Sequence, residues 1–461
     1  MNANGGDIYA KRISGKNQIS NTLVIAKGIP PGDGIKSLHP AVAYNPSSDQ
    51  YLVVYMYESS ANIYEVRGKT VAWDGSGLSS ELVIATEVNR SHLYPRVAHN
   101  NIQNEYMVVW NAYSTLSGFP PGTPVNVSGK RVNPNGTMSS VITFYSTNGP
   151  HSADITFNHS TGEYFTVFSS TQALPGGNNI YGLRSDFAGT IINPPGVIPL
   201  ATNDLNQDHP IVTTKGSDHY LIVWEHELSA TDIDIYSMEL NQFGNMVAYY
   251  AFFAGADRKT DVSLAVDSSS NDWLMSWMVD AGSGESIQEV YKSSAIWQWD
   301  LPKEDLLSIS QPVVLEGKSG YLIAYKGVGI SGLRVFTVIR IFPWGNTNPT
   351  CSRANSYNDS CIGYCVGDTV SVVSYLSGGS PDGLLNMAGN VLEWVNDWYK
   401  EDYYLESQNS TNPQGPATGT YRAQRGGSWR YLVILFCGLQ PEIIACRPIL
   451  AQITILDSAV R

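Results

Sequence analysis

The first two thirds of the chain alternate between short apolar runs and clusters of turn residues. Short runs of β-branched and aromatic residues between turn signals predict strands, and residues four apart lie on one face of a strand. Six runs carry two aromatic residues four positions apart. The pairs are Tyr51 and Tyr55, Tyr106 and Trp110, Tyr164 and Phe168, Tyr220 and Trp224, Trp273 and Trp277, and Tyr321 and Tyr325. We therefore predict six related, buried strands.

Each aromatic pair belongs to a larger repeat of about 55 residues. Another short run precedes each pair, as at residues 40–44, and the linker at residues 45–49 has the composition of a hairpin turn. A third run follows, as at residues 62–64, and a Gly-containing turn leads to a fourth, which is clearest at residues 82–85. Four strands per repeat at this period are typical of a β-propeller blade. The sequence predicts a mainly β fold that begins with a six-bladed propeller.

The chain starts halfway through this repeat. Residues 7–13 and 22–26 have the pattern of a third and a fourth strand, with no first or second strand before them. One interpretation is that they pair with the last repeat of the same chain and close the ring. The alternative is that they complete a blade of a neighbouring molecule by strand donation, because the sixth repeat has a third strand of its own at residues 333–336. The second arrangement would build a filament.

A different pattern occupies the last third of the chain. Its blocks are NMAGNVLEW at 386–394, DWY at 397–399, NPQGP at 412–416 and RGGSW at 425–429, preceded by PWG at 343–345 and VGDT at 366–369. In this order the blocks resemble the formylglycine-generating-enzyme (sulfatase-modifying factor) family. The resemblance implies a partial, loop-rich α+β domain related to C-type lectins. We expect an N-terminal hairpin over 1–28, propeller repeats over 29–341 and this domain over 342–461.

The resemblance also implies a calcium site. The family's calcium-binding segment maps onto Asn386, Gly389, Val391 and Glu393. Side-chain oxygens of the first and last and main-chain carbonyls of the middle two are the hard oxygen ligands that Ca²⁺ prefers. The alternative is a turn in which Glu393 merely caps neighbouring amides. We expect a structural Ca²⁺ ion, with Asn355 as a weaker candidate for the family's second calcium site.

Catalysis is not expected. The catalytic members of the family carry a copper-binding cysteine pair just after the RGGSW block, and this chain has Tyr431 and Phe436 at those places. We therefore predict no catalytic residues and no enzyme activity of that type. Carboxylates close together in the propeller region could serve glycoside chemistry, although solvated loop acids are the commoner explanation. These carboxylates are Glu225, Glu227, Asp232 and Asp234.

Composition narrows the possible partners. The net charge of −13 and the pI near 5.0 argue against nucleic-acid and anionic-membrane partners, which require a basic surface. Only 15% of residues are charged, a balance typical of secreted all-β proteins. The sequence has no apolar run long enough for a transmembrane helix. Residues 1–6 lack signal-peptide features, so we expect any export signal to have been removed or to lie outside this sequence.

The five cysteines all lie from Cys351 onward. They allow two disulfides and one remaining thiol, but their spacing leaves the pairing open. Disulfides fit the extracellular setting that the composition favours. Glycosylation sequons, which would mark surface loops, occur at Asn89, Asn126, Asn135, Asn158, Asn358 and Asn409.

These observations favour a non-catalytic extracellular or cell-surface protein used for assembly or adhesion. We expect self-association into a homo-oligomer or filament, with the C-terminal domain as a calcium-supported binding or packing module. The alternative is a lectin-like protein that stacks sugars on Trp394, Trp398 and Trp429. A formylglycine-generating oxidoreductase, which would use copper and oxygen, is less expected.

Overall fold

The computed structural model describes most of the first 266 residues and shorter stretches after them. The described residues are 8–10, 23–26, 37–60, 62–115, 123–147, 149–171, 177–192, 197–252, 258–266, 271, 273–280, 285–292, 296–301, 306–317, 320–329, 338–339, 344, 350–358, 363–379, 384–400 and 415–430. The chain divides into two compact units. The first comprises residues 1–14, 19–266 and 277–285, and the second comprises residues 15–18, 267–276 and 286–461.

The first unit opens with a two-stranded antiparallel hairpin and continues with four-stranded antiparallel sheets. The hairpin consists of β1 (Ile8–Ala10) and β2 (Leu23–Ala26). Sheet 1 contains β3 (Ser37–Asn45), β4 (Gln50–Ser60), β5 (Ile63–Ala72) and β6 (Leu82–Ala85). Sheet 2 contains β7 (Arg90–Asn100), β8 (Glu105–Ser114), β9 (Thr123–Val132) and β10 (Ile142–Tyr145). Each sheet therefore has the four strands of one predicted repeat.

The next two repeats fold in the same way. Sheet 3 contains β11 (His151–Asn158), β12 (Glu163–Ser170), β13 (Asn179–Ser185) and β14 (Ile198–Ala201). Sheet 4 contains β15 (Asn206–Lys215), β16 (His219–Ser229), β17 (Asp232–Asn241) and β18 (Met246–Phe252). The strands of the fifth repeat are β19 (Arg258–Val266), β20 (Trp273–Asp280), β21 (Glu285–Lys292) and β22 (Ile296–Leu301). A parallel pair of Ile233 with Arg258 joins β17 to β19, so that sheet 4 continues into these strands.

The aromatic pairs form the core between successive sheets. In sheets 2, 3 and 4 both members of each pair are fully buried. Tyr106 and Trp110 pack against Val54 and Ile84 of sheet 1, and Tyr220 and Trp224 of sheet 4 pack in the same way on sheet 3. An aromatic ring buries more apolar area than any aliphatic side chain. The repeated pair therefore supplies much of the energy that holds one sheet on the next.

A buried asparagine fixes the turn between the first and second strands. The Asn45 Oδ1 atom accepts hydrogen bonds from the backbone amides of Ser47 and Ser48, at 2.9 and 3.2 Å. Asn100 and Asn158 make the same turn in sheets 2 and 3. Such side-chain bonds replace a backbone turn. Asn158 is only 1% exposed and serves this turn, so the sequon there does not mark an accessible attachment site.

The first strands lie side by side. β3 contacts β7, β7 contacts β11, β11 contacts β15, and β15 contacts β19, as around the axis of a propeller. The pairing register shifts at the same point of β3, β7, β11 and β15. At that point the backbone is left-handed, with φ between 48° and 54°, although none of the residues is glycine. These residues are His39, Tyr94, Ser152 and His209, with Asp261 at the same place in β19.

The described part of the second unit holds a three-stranded sheet and several short strands. The sheet consists of β23 (Leu306–Gly317), β24 (Gly320–Gly329) and β25 (Val338–Ile339). Two hairpin-like pairs follow, β26 (Tyr357–Asn358) with β27 (Gly363–Tyr364), and β28 (Glu393–Trp398) with β29 (Arg422–Arg425). A 3-10 turn spans Leu376–Gly378, and a disulfide joins Cys351 to Cys365.

The structure confirms a mainly β chain and the first and second strands of all six repeats. The closure of six blades into one ring and the α+β character of the C-terminal domain stay predictions. The third strand predicted at residues 333–336 lies outside the described residues, whereas β25 pairs with β24 a little further along the chain. Within the described ranges, no helix has the length and apolar character needed to cross a bilayer.

Candidate functional site

The N-terminal hairpin is a structural copy of the third and fourth strands of a sheet. In both β1–β2 and β5–β6 the first opposed pair is followed by a one-residue register shift. The pairs are Ile8–Ala26 then Tyr9–Val24 in the hairpin, and Val66–Ala85 then Arg67–Val83 in sheet 1. Strands β2 and β6 even share the sequence Leu-Val-Ile-Ala. We therefore call β1–β2 the half blade.

The half blade docks where the outer half of a preceding sheet would lie. Ile8 and Ile25 are buried against Val53, Tyr55 and Val71 of sheet 1. At the next interface the corresponding residues of β5 and β6 pack on the corresponding residues of sheet 2. The half blade thus covers the outer part of sheet 1 with ordinary blade-to-blade packing.

The inner part of the same face is exposed. Val42 of β3 is 46% exposed and Tyr44 is 41% exposed. Ile155 and Val212, which hold the place of Val42 in sheets 3 and 4, are each 5% exposed. They are buried because the first or second strand of the preceding sheet packs over them. The half blade provides only a third and a fourth strand, so Val42 and Tyr44 form an apolar surface that we call the open face.

A polar cluster lies along the first strands of sheets 3 and 4. Asp208 accepts hydrogen bonds from the Ser169 hydroxyl at 2.7 Å and from the backbone amide of His209 at 2.7 Å. His151 Nε2 lies 3.2 Å from its Oδ2 atom. Burial opposes ionisation of Asp208, but the hydrogen bond to His151, the charges of both histidines and the Ser169 hydroxyl outweigh it and lower the pKa of Asp208. The carboxylate therefore ties sheet 3 to sheet 4.

His209 forms a second ion pair in this cluster. Its Nδ1 atom lies 2.9 Å from Oε2 of Glu225. Burial alone would lower the pKa of the imidazole, but the hydrogen bond and charge of Glu225, with the charges of Asp208 and Asp261, raise the pKa of His209 to about 9. Because the His209 side chain is 62% exposed, solvent screens part of this attraction. The histidine remains protonated at neutral pH.

This pair predicts a pH-dependent stability. A histidine whose pKa is raised by folding contributes stability that is complete below its ordinary pKa and is lost as the pH rises through the folded-state value. We expect the free energy of unfolding, measured with urea, to fall between about pH 6.5 and about pH 9. His209→Asn, which tolerates the left-handed backbone, should flatten this slope. His39→Asn, the same exchange at the same place of β3, should keep it; an unchanged slope in His209→Asn would contradict the assignment.

The carboxylates singled out as loop acids mostly have structural partners. The expectation of solvated loop residues is wrong for Glu225 and Asp234, which lie within β16 and β17 and are 8% and 2% exposed. Lys259 Nζ lies 3.0 Å from Asp234 Oδ1, with both side chains buried. Glu227 accepts a hydrogen bond from Asn206 Nδ2 at 2.8 Å. Alternation along the strands places these acids between sheets, where each requires a partner.

Asn390 joins the blocks of the C-terminal domain. Its Oδ1 atom accepts a hydrogen bond from the backbone amide of Val370 at 2.9 Å, and its Nδ2 atom donates one to the Val370 carbonyl at 3.0 Å. The Asn390 backbone amide donates to the Asn355 carbonyl, and its carbonyl accepts from the Trp429 amide. One buried residue thus connects the NMAGNVLEW block, the RGGSW block and the residue directly after VGDT. Sequence reasoning missed it, although its place inside the most specific block was a signal.

The four predicted calcium ligands lie on the loop before β28 and at its start. The Asn386 Oδ1 atom is buried and has no hydrogen-bond partner, which is what an unused ligand oxygen would show. Its Nδ2 atom donates to the Val372 carbonyl. Gly389 is buried and left-handed, Val391 is 44% exposed, and Glu393 is exposed at the start of the strand. Among the residues that the structure covers, no three or more His, Cys, Asp or Glu side chains lie close enough together to hold a metal ion.

The three tryptophans of the lectin alternative differ in exposure. Trp394 is 70% exposed. The Arg422 guanidinium lies 3.7 Å from the ring centre of Trp398, and Trp429 meets Tyr364 edge to face at 5.5 Å. Only Trp394 has the open ring face that stacking on a sugar requires. Tyr431 and Phe436, at the places of the copper ligands, lie outside the described residues.

Comparison with known proteins supports the C-terminal resemblance. Residues 336–444 match the family model of the sulfatase-modifying factor enzyme 1-like domain. A serine/threonine-protein kinase pkn1 of Chlamydia caviae is 53% identical over 66 residues, which cover 14% of this chain and 10% of the kinase. A formylglycine-generating enzyme of Streptomyces coelicolor is 49% identical over 61 residues, which cover 13% of this chain and 18% of the enzyme. The chain thus spans less than a fifth of either relative.

The chain is also similar to solved structures, at low sequence identity. An alpha-L-arabinanase of Penicillium chrysogenum aligns over 65% of this chain and 91% of its own, with a TM-score of 0.48 and 12% identity. This chain combines repeats of antiparallel strands with a C-terminal region similar to the sulfatase-modifying factor domain.

Proposed function

We propose that this chain is a non-catalytic extracellular or cell-surface assembly and adhesion protein whose copies join by completing one another's half blade. The single observation that carries the proposal is the open face beside the half blade. Val42 is 46% exposed, whereas Ile155 and Val212 at the same place in sheets 3 and 4 are each 5% exposed. Burying this apolar surface under two further strands would release free energy at about 25 cal/mol per Å².

Strand addition also suits the backbone of the half blade. In sheet 1, β5 pairs with β4 on one side and with β6 on the other. In the half blade, β1 pairs with β2 alone among the described strands. An unpaired strand edge is a template for a strand of another chain. The half blade and the strands that complete it are two different surfaces of the chain, so the contact between copies is head-to-tail. Repeating such a contact produces a closed ring or an open filament.

The C-terminal domain supports a structural role. Two aromatic residues, Tyr431 and Phe436, replace the cysteines that the catalytic family members require. Asn390 and its backbone bonds preserve the fold that the blocks encode. The disulfide between Cys351 and Cys365 suits an oxidising, extracellular setting. These features favour a packing or adhesion module without the family's copper chemistry.

Charging the open face tests the proposal. We expect Val42→Lys combined with Tyr44→Lys to weaken self-association about 100-fold, because burying unpaired charges costs about 3 kcal/mol or more. Monomer folding should be unaffected since both side chains are exposed. Sedimentation velocity over a concentration series measures this change.

A matched control separates the open face from general surface charge. Val83 of β6 is 43% exposed, a fraction similar to that of Val42. It lies on an outer strand, away from the open face. Val83→Lys should leave the sedimentation profile unchanged. Equal profiles for the intact protein and the Val42/Tyr44 variant would overturn the proposed interface.

A structural calcium ion is part of the proposal. Asn386, Gly389, Val391 and Glu393 would hold it through side-chain and main-chain oxygens, and the partnerless Asn386 Oδ1 supports this assignment. The ion would fix the loop before β28. We expect 1 mM CaCl₂, compared with EDTA, to stabilise the protein by about 1 kcal/mol in thermal unfolding, given the affinities of extracellular calcium modules.

Asn386→Gly should abolish this calcium response while tolerating the left-handed backbone at that residue. Asn396→Ala, an exposed asparagine of β28, should retain it. If calcium stabilises the Asn386→Gly variant as much as the unaltered protein, these residues do not form the site.

The exposed Trp394 favours one second candidate, glycan binding. A glycan panel probed with the intact protein and with Trp394→Ala would reveal it, because removal of the stacking ring should abolish any signal. Retained formylglycine-type catalysis would require a copper–thiolate complex. We expect a Cu(I) titration to show no such complex.

A further inference from the structure

We infer that the side chains of Lys259 and Asp234 become joined by an amide bond, which links sheet 4 covalently to the fifth repeat. The Lys259 Nζ atom lies 3.0 Å from the Asp234 Oδ1 atom, and the two side chains are 5% and 3% exposed. Both residues belong to the first unit, so the bond forms within one copy and does not require assembly. The buried pair is thus a site of covalent modification as well as a contact between strands.

Strand pairing holds the two side chains together. Ile233 of β17 pairs with Arg258 of β19 in parallel orientation. Asp234 and Lys259 are the next residues of the two strands, so their side chains project from the same face. Groups held in reacting geometry behave as if they were present at about 10⁵ M or more. The fold therefore supplies the proximity that amide formation requires.

Burial favours the uncharged forms of the pair, which are the forms that react. A buried ion pair loses the hydration of both charges, and the attraction between them offsets that loss only in part. Transfer of one proton from the Lys259 ammonium to the Asp234 carboxylate removes both charges and leaves an amine beside a carboxylic acid. The amine then has the lone pair needed to attack the carboxyl carbon. Exclusion of water from the site also opposes hydrolysis of the product.

The bond forms by condensation. The Nζ atom of Lys259 attacks the Cγ atom of Asp234, a C–N bond forms, and the bond from Cγ to the carboxyl hydroxyl breaks. The hydroxyl leaves as water with one proton taken from the attacking nitrogen. An amine and a carboxylic acid thus become one amide and one water molecule, and no oxidant or further reagent is consumed.

His226 is placed to carry the proton that the nitrogen loses. It opposes Asp234 in the pairing of β16 with β17, so the two side chains lie on the same face of sheet 4. The Nδ1 atom of His226 is buried and has no hydrogen-bond partner. Burial lowers the pKa of His226, although the charge of Asp234 opposes this shift, so the ring is unprotonated at neutral pH. It can accept the proton from nitrogen and return it to the departing oxygen.

The same junction between other sheets carries residues that cannot condense in this way. The place of Asp234 lies opposite the second residue after the aromatic pair, and the place of Lys259 lies two residues before the left-handed bulge of the next sheet. The corresponding pairs are Glu65 and His92, Asn126 and Pro150, and Asn179 and Gln207. None of these pairs combines an amine with a carboxyl group. The combination therefore belongs to one junction and is not a general feature of the repeat.

Mass spectrometry of the reduced, denatured chain tests the bond. We expect the mass of the intact chain to be lower than that of its sequence by one water molecule. Proteolysis should release a branched peptide that joins residues 234 and 259. Lys259→Arg, which keeps the positive charge but lacks the amine, should have the full mass.

A second lysine of sheet 4 provides the matched control. The Lys215 Nζ atom lies 2.6 Å from the Glu239 Oε2 atom, but the Lys215 side chain is 21% exposed, so water stabilises the charged forms. Lys215→Arg should therefore keep the mass deficit and the branched peptide. A full mass with two separate peptides from the folded, unaltered protein would overturn the bond. A water loss that maps to any other residues would overturn it as well.

The role of His226 is tested by the rate at which the bond appears. His226→Phe keeps a ring to pack on Tyr236, whose centre lies 4.3 Å away, but lacks the ring nitrogens. We expect the branched peptide to appear at least about 10-fold more slowly in chains sampled after cell-free synthesis, because a proton relay is lost. An unchanged urea midpoint would show that the slower rate does not come from a weakened fold. Equal rates in the two proteins would contradict the role of His226.

Discussion

Ile25→Asp should release the half blade from sheet 1. Ile25 is fully buried against Val53, Tyr55 and Val71. Placing a carboxylate there without a partner costs several kcal/mol, of the order of the whole docking energy of two short strands. Hydrogen exchange should show that the amides of β1 and β2 lose protection while those of β3 to β6 keep it. Self-association should fall together with this protection.

The neighbouring residue provides the control for this change. Val24 lies on the same strand and is only half-buried, so Val24→Asp should affect β1 and β2 far less. Full protection of β1 and β2 in the Ile25→Asp variant would show that the half blade is not held by blade-type packing. Loss of protection throughout sheet 1 would show that it is an integral part of that sheet.

Trp224→Ala should lower the free energy of unfolding of the first unit by about 3–5 kcal/mol. The indole is fully buried between sheets 3 and 4. Its ring centre lies 5.8 Å from that of Tyr249 and 6.1 Å from that of Tyr236. Its removal leaves a cavity that close-packed strands cannot refill. Chemical denaturation followed by tryptophan fluorescence and circular dichroism measures the loss.

Phe243→Ala is the matched change on the surface of the same sheet. Phe243 is 59% exposed and lies in the turn after β17, so its removal should change the free energy of unfolding by about 0.5 kcal/mol or less. Similar losses in the two variants would mean that the aromatic pairs do not form the contact between sheets.

The repeating strands were predictable because their signal is local. Two aromatic residues four apart with β-branched residues between them bury one face of a strand, and Tyr106 with Trp110 does so. Asn45 and the turn it fixes were also visible as a cluster of turn residues. The half blade was predictable for the same reason, since its fourth strand has the sequence of β6.

Features set by neighbouring strands were not predictable. The left-handed bulges at His39, Tyr94 and His209 occur at residues other than glycine, for which that backbone is uncommon, and they arise from the pairing of first with second strands. The burial of Glu225 and Asp234 likewise depends on partners distant in sequence, His209 and Lys259. The local sequence around a residue does not indicate such contacts.

The candidate sites also combine features that the sequence predicted with features that only the structure shows. The blocks of the C-terminal domain identified its family resemblance, but the hydrogen bonds of Asn390 that join them became visible only in three dimensions. The pairing of Cys351 with Cys365 was one of several that five cysteines allow. The exposure of Val42 and Tyr44, on which the assembly proposal rests, depends on strands that the half blade lacks.

Electron microscopy of the purified protein, beside a variant that lacks Met1 to Ala26, tests the central claim most directly. The account predicts filaments or closed rings of several copies from the intact chain and discrete monomers from the truncated one. Discrete monomers from the intact chain would contradict it, because the half blade would then be completed within its own molecule.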